Sequence, residues 1–465
     1  MSRSVVVIGA GPAGLAAAME ASSRGCRVTL LDEARLPGGQ VYRQADKTLS
    51  GQDYAEASEL HRKHRLLERF AGATERLRYR PGCAVYAMFQ NREVHFVDGA
   101  HTEVIQPDAV ILATGVREIA IPFPGWTLPG VMYAGGAQSI LKSQRVLPGK
   151  RAVVAGCGPL PVVVAAQLLR AGGEVAALAS LHAPASMLAY LSSAWHGRDI
   201  VAEGARYAWT LLRARVPRLT GYVPVRALGN DTVERVVLAR ADAEGHLLPG
   251  TEQEFECDLL AVNYGFAANS ELAAIAGVAM RRDPISGWVP IADSFGRTSI
   301  PGVFVAGDGA GLRGALIAES EGSIVGAAAA RPDQITELAK DPDLASALTR
   351  RRRYEKFLPA VRRSLHVPLQ LWSIATGETT VCRCENVRVS EVLDVLKDGH
   401  TSLNAVKRNV RAGMGWCGGR TCLNAVSALA QLHAGATAGD MMTPRPMARP
   451  VPFSALANQQ RADTQ

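Results

Sequence analysis

The sequence has no strong excess of one charge. Against 43 Asp and Glu, 51 Lys and Arg leave a formal +8 over 465 residues. Without a recognition motif to focus it, so modest a surplus does not point to nucleic acid. No internal repeat is visible, which sets aside repeat architectures. Uninterrupted membrane-length apolar runs are missing too. Met1–Ala21 has the Arg, apolar stretch and small residues of a crude signal peptide, but Gly9-Ala10-Gly11-Pro12-Ala13-Gly14 breaks it. Ala152–Leu169 lacks charge, yet Gly156-Cys157-Gly158-Pro159-Leu160-Pro161 splits it in the middle. Both read better as strand, tight turn and helix, so no transmembrane segment and a cytoplasmic location are expected. What is present, 48% apolar and 20% charged residues with 45 glycines, describes a soluble α/β protein. Its length allows two to four domains.

Val5–Ile8 is a short, wholly apolar run, as expected of a parallel strand buried on both faces. A glycine turn, a helix from about Pro12 to Ser23 and a strand at Val28–Leu31 follow. Val110–Leu112, Leu259–Val262 and Val303–Ala306 read as further buried strands, and Gly314–Ala330 as a helix. A second strand–turn–helix starts at Ala152–Ala155. Two glycine turns within alternating strands and helices predict two doubly wound units, one inserted in the other. Leu181–Arg215 reads as helical but irregular. A polar helical stretch with the basic run Arg350–Arg353 follows Ala330, and Pro444, Pro446, Pro450 and Pro452 predict an extended tail.

The first turn has the elements of a dinucleotide site. Gly9 permits the sharp turn, Gly11 lets backbone approach a pyrophosphate, and Gly14 allows close helix–strand packing. Pro12 and Ala13 open the helix, whose free N–H groups face the phosphates. Asp32, followed by Glu33, ends the second strand, where a carboxylate accepts from a ribose hydroxyl. Pro37-Gly38-Gly39-Gln40 and the strand running into Gly307-Asp308-Gly309 resemble the glutathione-reductase-like flavoproteins. That resemblance implies FAD, with Asp308 beside Gly307 as its second anchor and with Gly39 and Gln40 lining the flavin side. Ala113-Thr114-Gly115 resembles the crossover out of the FAD unit and Asn263-Tyr264-Gly265 the return; Val85 is included among the cofactor-binding positions. No Cys-x-x-Cys or Cys-x-x-x-x-Cys lies near Gly39 or in the second unit. A flavin-coupled disulfide is thereby excluded.

The second turn is degenerate. Pro161 stands where the third glycine belongs, and Val175–His182 supplies neither an acid nor an Arg for a ribose or its phosphate. NAD(P) is therefore not expected, and the unit reads as scaffold.

Cys26, Cys83, Cys157 and Cys257 are scattered singly and read as reduced structural thiols, whereas Cys382, Cys384, Cys417 and Cys422 cluster. Thirty-two residues separate Cys384 from Cys417. Four thiolates suit zinc or an iron–sulfur cluster. Cys-x-Cys with a distant Cys-x-x-x-x-Cys is unusual for zinc, and Gly413, Gly415, Gly418 and Gly419 would let backbone N–H groups approach bridging sulfides. Val389–Lys397 and Leu403–Arg411 predict two helices between the pairs, and Lys407, Arg408, Arg411 and Arg420 could offset cluster charge. The segment resembles the bacterioferritin-associated-ferredoxin-like [2Fe–2S] domain.

Taken in order, these features and Pro122–Val131 resemble the larger flavin subunit of heteromeric opine oxidases, D-hydroxyproline dehydrogenases and imino-acid dehydrogenases, related to the flavin subunit of hydrogen cyanide synthase. Gly418 departs from the Gln common there and leaves the ligands intact. The resemblance implies a glutathione-reductase-like α/β protein with two dinucleotide-binding domains and a C-terminal [2Fe–2S] domain. Its expected parts are an FAD domain at 1–118 and 283–332, a degenerate NAD(P)-like domain at 119–282, a linker at 333–375, the cluster domain at 376–440 and a Pro-rich tail at 441–465. The partners implied are an amino-acid-oxidase-like flavin subunit carrying the substrate site and a small ferredoxin-like subunit, in a hetero-oligomer. No positioned acid–base pair marks an amine-oxidising pocket, and no catalytic residue is expected. The competing readings are a self-sufficient NAD(P)H-dependent reductase and a non-catalytic scaffold holding structural zinc.

Overall fold

Five parallel strands build the first sheet in the order Val303–Val305, Ala109–Leu112, Ser4–Ile8, Arg27–Asp32 and Leu77–Pro81. A computed structural model describes residues 2–46, 48–51, 53–182, 193–435 and 441–461. The inner strands are continuous apolar runs because both faces are covered, one by helices Pro12–Ser23 and Ala315–Ala330 and the other mainly by the antiparallel strands Cys83–Met88 and Val94–Asp98. Pro12–Ser23 and the Ala- and Gly-rich helix Ala315–Ala330 lie against one another, since Gly322 and Gly326 sit directly over the Ala13 and Ala17 backbone. Side chains there would separate the two helices.

The second sheet is also parallel, ordered Arg218–Thr220, Glu174–Ser180, Arg151–Gly156, Leu259–Asn263 and Val131–Tyr133. The chain crosses between the units through Val116–Glu118 and returns through Phe266–Ala268, which pair antiparallel. The return comes earlier than residue 283: Leu272, Ala273 and Ala276 already share a core with Ile8, Leu31 and Val85 of the first unit. An apolar stretch too short to form a core of its own joins whichever sheet it lies against. Part of the irregular helical stretch expected at Leu181–Arg215, residues 183–192, lies outside the described residues; a helix occupies Arg198–Arg213.

That helix and Ala57–Ala71 of the first unit clamp the two units together. Arg62 pairs with Glu203 at 2.8 Å, Lys142 with Glu59 at 2.9 Å, and Arg170 and Arg206 both reach Glu56. The basic run is tied down as well. Arg353 binds Asp199 at 2.7 Å, and Arg351 donates to Ser294 O.

The cysteine module consists of a short antiparallel pair, Thr380–Cys382 with Val387–Arg388, and helices Val389–Lys397, Leu403–Val410 and Leu423–Ala434. The middle helix ends one residue before the expected Arg411, which turns left-handed at φ 63° and closes it. The module is not an appended bead. Val381, Cys382, Val392, Cys422 and Val426 share one buried cluster with Val153, Ala155, Leu260 and Val262 of the second sheet, joined by Leu365, Leu371 and Trp372 from the linker.

The tail departs from the extended segment predicted by its prolines. Ala448 N donates to Tyr86 O, Phe453–Ala457 is helical, and Gln459–Arg461 adds a parallel strand to His101–Ile105. Proline bars a residue from donating to a ladder, but residues beyond Pro452 are free to pair with an exposed sheet edge.

Candidate functional site

The glycine turn is held by contacts that only a bare Cα allows. Gly9 adopts φ +106°, and a Cβ there would run into Ala113 O; one on Gly14 would collide with Gly9 O. Helix Pro12–Ser23 has no side-chain cap, so its first N–H groups remain available to an anion. Around this N-terminus the expected positions converge. A Cβ on Gly39 would stand 2.8 Å from Gly11 Cα, one on Gly307 2.7 Å from the Ala13 side chain, and one on Gly309 3.2 Å from Thr114 Oγ1. This is a backbone-lined cradle, fit for a pyrophosphate-bearing dinucleotide.

Asp32 is more occupied than expected. One carboxylate oxygen accepts from Ala10 N, the other from Ala34 N at 2.6 Å, so the residue braces the turn. Each oxygen keeps a second lone pair for a hydroxyl donor. Burial raises its pKa against these two backbone donors. Glu33 is exposed and pairs with Arg449 of the tail at 2.6 Å. Nothing local in the sequence links those two. Asp308 is half-buried, and its Oδ1 accepts from Arg313 N and Gly314 N, both at 2.8 Å. It thus fixes the loop that leads into helix Ala315–Ala330. Glu321, missed in the sequence, supports the same turn by accepting from Gly307 N and pairing with Arg313. Gln40 is exposed and accepts from Arg43 at 2.9 Å. Val85 is on the strand Cys83–Met88 and faces the core with Ile8, Leu31 and Leu112. Ala113, Thr114 and Gly115 lie where the chain leaves the first sheet, and Thr114 Oγ1 donates to Asn269 O on the returning segment at 2.6 Å.

The second turn is closed by the chain itself. Gly158 carries φ +73°, and a Cβ on it would collide with the Leu365 side chain. Leu365 is 4% exposed, and His182 Nε2 lies 2.7 Å from His366 O, as a donor to that carbonyl. The linker therefore covers both the position of a pyrophosphate and the end of the strand where a ribose would be read.

All four clustered cysteines come together. They stand as two adjacent pairs, Cys382 with Cys422 and Cys384 with Cys417. The hydrogen bond from Cys422, outweighing burial and joined by Gly413, Glu385 and Cys384 N–H groups, holds Cys382 at about 6. Burial acts against Cys417, but N–H groups of Thr421, Gly419 and Arg420 and the Cys384 thiol lower its pKa. Gly415 packs so tightly on Cys384 that a Cβ would overlap it. Thiolates ringed by N–H donors fit a cluster that carries negative charge on sulfur. Of the four cations singled out, Arg411 pairs with Glu385 at 2.7 Å, Lys407 donates to Thr443 O, and Arg420 turns inward. The strand Thr380–Cys382 is seated by Trp126 Nε1 donating to Thr380 O at 2.7 Å, while the Arg383 guanidinium lies 4.1 Å over the Trp126 ring.

These features define a flavoprotein with two dinucleotide-type domains and an iron–sulfur module. Residues 3–330 match the pyridine nucleotide-disulphide oxidoreductase family, and residues 380–431 the BFD-like [2Fe-2S] binding domain. An opine oxidase subunit of Rhizobium meliloti is 32% identical over 91% of this chain and 81% of its own. The hydrogen cyanide synthase subunit HcnB of Pseudomonas protegens is 31% identical over 98% of each. In fold, the chain is similar to L-proline dehydrogenase from P. horikoshii, with TM-score 0.69 and 21% identity over 98% of this chain and 79% of that one. The chain belongs to the pyridine nucleotide-disulphide oxidoreductase family and, within it, to the FAD/[2Fe–2S] subunits that include HcnB and the matching opine oxidase polypeptide. Its cofactors are FAD and a [2Fe–2S] cluster.

Three expectations follow from this geometry. Asp308→Ala removes the acceptor that fixes the 308–314 loop and should lower the FAD-to-protein ratio; an unchanged flavin content would dismiss its anchoring role. Cys417→Ser should abolish the electron-spin-resonance signal of the reduced cluster while FAD stays bound. With Leu365 on the second turn, neither NADH nor NADPH should rapidly bleach the flavin of the isolated chain, and fast bleaching would show that the linker does not close it.

Proposed function

We propose that the chain is the electron-transfer subunit of a heteromeric dehydrogenase acting on amino acids, imino acids or opines. The observation that carries this reading is the seat of the cysteine module: Arg117, on the crossover strand from the flavin unit, donates through Nε to Arg420 O in the cysteine loop at 3.1 Å. FAD supplies one- and two-electron redox chemistry and the cluster one-electron chemistry. The residues of this chain bind and orient the two groups, and the buried core around Cys382 and Cys422 keeps water from those sulfurs. In this reading, an amino-acid-oxidase-like partner removes hydride from the carbon bearing the amine. Its electrons pass to this chain and then to an external acceptor, and a small ferredoxin-like subunit completes a cytoplasmic complex. The relatives from opine oxidase and hydrogen cyanide synthase, both named as subunits, support a subunit role. Among the described residues, no helix is long and apolar enough to cross a membrane.

The isolated chain should then leave opines and imino acids unoxidised, while co-expression with its partner should yield a complex that turns them over. Substrate oxidation by the chain alone at rates comparable to the complex would overturn the division of labour.

A further inference from the structure

One chain of polar contacts runs without a break from the cysteine loop to the crossover at the flavin site. Arg420 donates through one guanidinium nitrogen to Cys417 O and to Ala448 O, both at 3.0 Å. Its other terminal nitrogen lies 3.5 Å from Glu271 Oε2. The opposite oxygen of the same carboxylate, Oε1, accepts from Arg117 at 3.0 Å. That Arg117 nitrogen also donates to Ala268 O at 2.8 Å and reaches Asn269 Oδ1 at 3.3 Å. Asn269 in turn donates through Nδ2 to Thr114 O at 3.1 Å and through its backbone N–H to Gly115 O. Thr114 and Gly115 are neighbours of Gly309 in the FAD cradle.

From this connectivity we infer that Glu271 is a positioning residue that couples the cluster loop to the flavin loop and sets the charge felt by the cluster. The three side chains are 17–22% exposed, so their charges are only partly screened. Two guanidiniums share one carboxylate, which leaves one positive charge in excess at the cysteine loop, where Arg420 lies against Cys417. Either guanidinium would face the other in a poorly solvated site if the carboxylate were removed. Reduction adds one electron, hence one negative charge, to the cluster. Glu271 therefore disfavours reduction and Arg420 favours it, and each is held in place by the other.

The inference rests on the cofactor assignment and gives the electron-transfer reading its internal link, but its test needs neither partner nor acceptor. The cluster of the FAD-loaded chain is titrated with a chemical reductant and followed by electron-spin resonance. Glu271→Gln should raise the midpoint potential and Arg420→Gln should lower it. Each shift should be on the order of tenfold in the reduction equilibrium, about 59 mV for one electron. The double variant should return toward the parent, and Glu271→Asp, which keeps the charge, should stay near it. Shifts of the same sign, or none beyond twofold, overturn the inference. If Glu271→Gln loses its cluster, retention in Glu271→Asp supports the charge link and loss from both overturns it. Failure of the partner experiment above leaves this potential measurement unaffected, so the two readings fail separately.

Discussion

A single apolar core joins the second Rossmann sheet, the linker and the cysteine module, and the placement of the cluster depends on it. Val153, Ala155 and Val262 of the sheet, Leu365 and Trp372 of the linker, and Val381, Cys382 and Val426 of the module are buried in one cluster. Each fully buried Val or Leu contributes about 1.5–3 kcal/mol, so the module cannot swing away without exposing many such side chains. The unit that lost its nucleotide signature thus has a physical role as the seat of the iron–sulfur domain. Trp126, from the Pro122–Val131 segment, adds direction to that apolar contact by its N–H bond to Thr380 O and its stacking under Arg383.

The two Rossmann units are held to each other by a different kind of contact. Lys142 and Glu59 form a buried pair, and Tyr207, itself buried, donates to the Glu59 carboxylate and accepts from Glu56 N. Removing one partner from such a pair leaves a buried charge uncompensated, at a cost of about 3–5 kcal/mol. Fixed mutual orientation follows, which suits a chain whose cofactors must keep a constant separation. The apolar core seats the module on the second unit, the ion pairs seat the second unit on the first, and the polar contacts through Arg117 connect the ends.

Local signals are legible in the sequence and long-range ones are not. The helix expected from Pro12 to Ser23 has those bounds, as does Val389–Lys397, because turn glycines and apolar periodicity are encoded within a few residues. The spacing of the four cysteines marks them as a set, and they meet in the structure. The partners of Arg420 and Glu33 are hidden: Glu271 lies about 150 positions before Arg420, and Arg449 more than 400 after Glu33. The prolines of the tail predict chain direction but carry no information about the open edge at His101–Ile105, so an extended tail is the wrong expectation. Asp32 stands where the motif puts it, but the two backbone donors that brace it depend on φ and ψ at the turn, which composition does not report.

Gly158 shows how a motif can keep its geometry while its occupant changes. In a working dinucleotide turn, the second glycine leaves room for a phosphate. Here Leu365 packs where a Cβ of residue 158 would stand, and an apolar side chain offers an anion no hydrogen-bond donor. The left-handed φ of Gly158 and its missing Cβ remain necessary, since any other residue would force the leucine out and open the core that the cysteine module shares. A glycine fingerprint of this kind therefore reports close approach of something to backbone. What approaches is decided by the remaining chain, in this case by a linker with its own destination at Cys382.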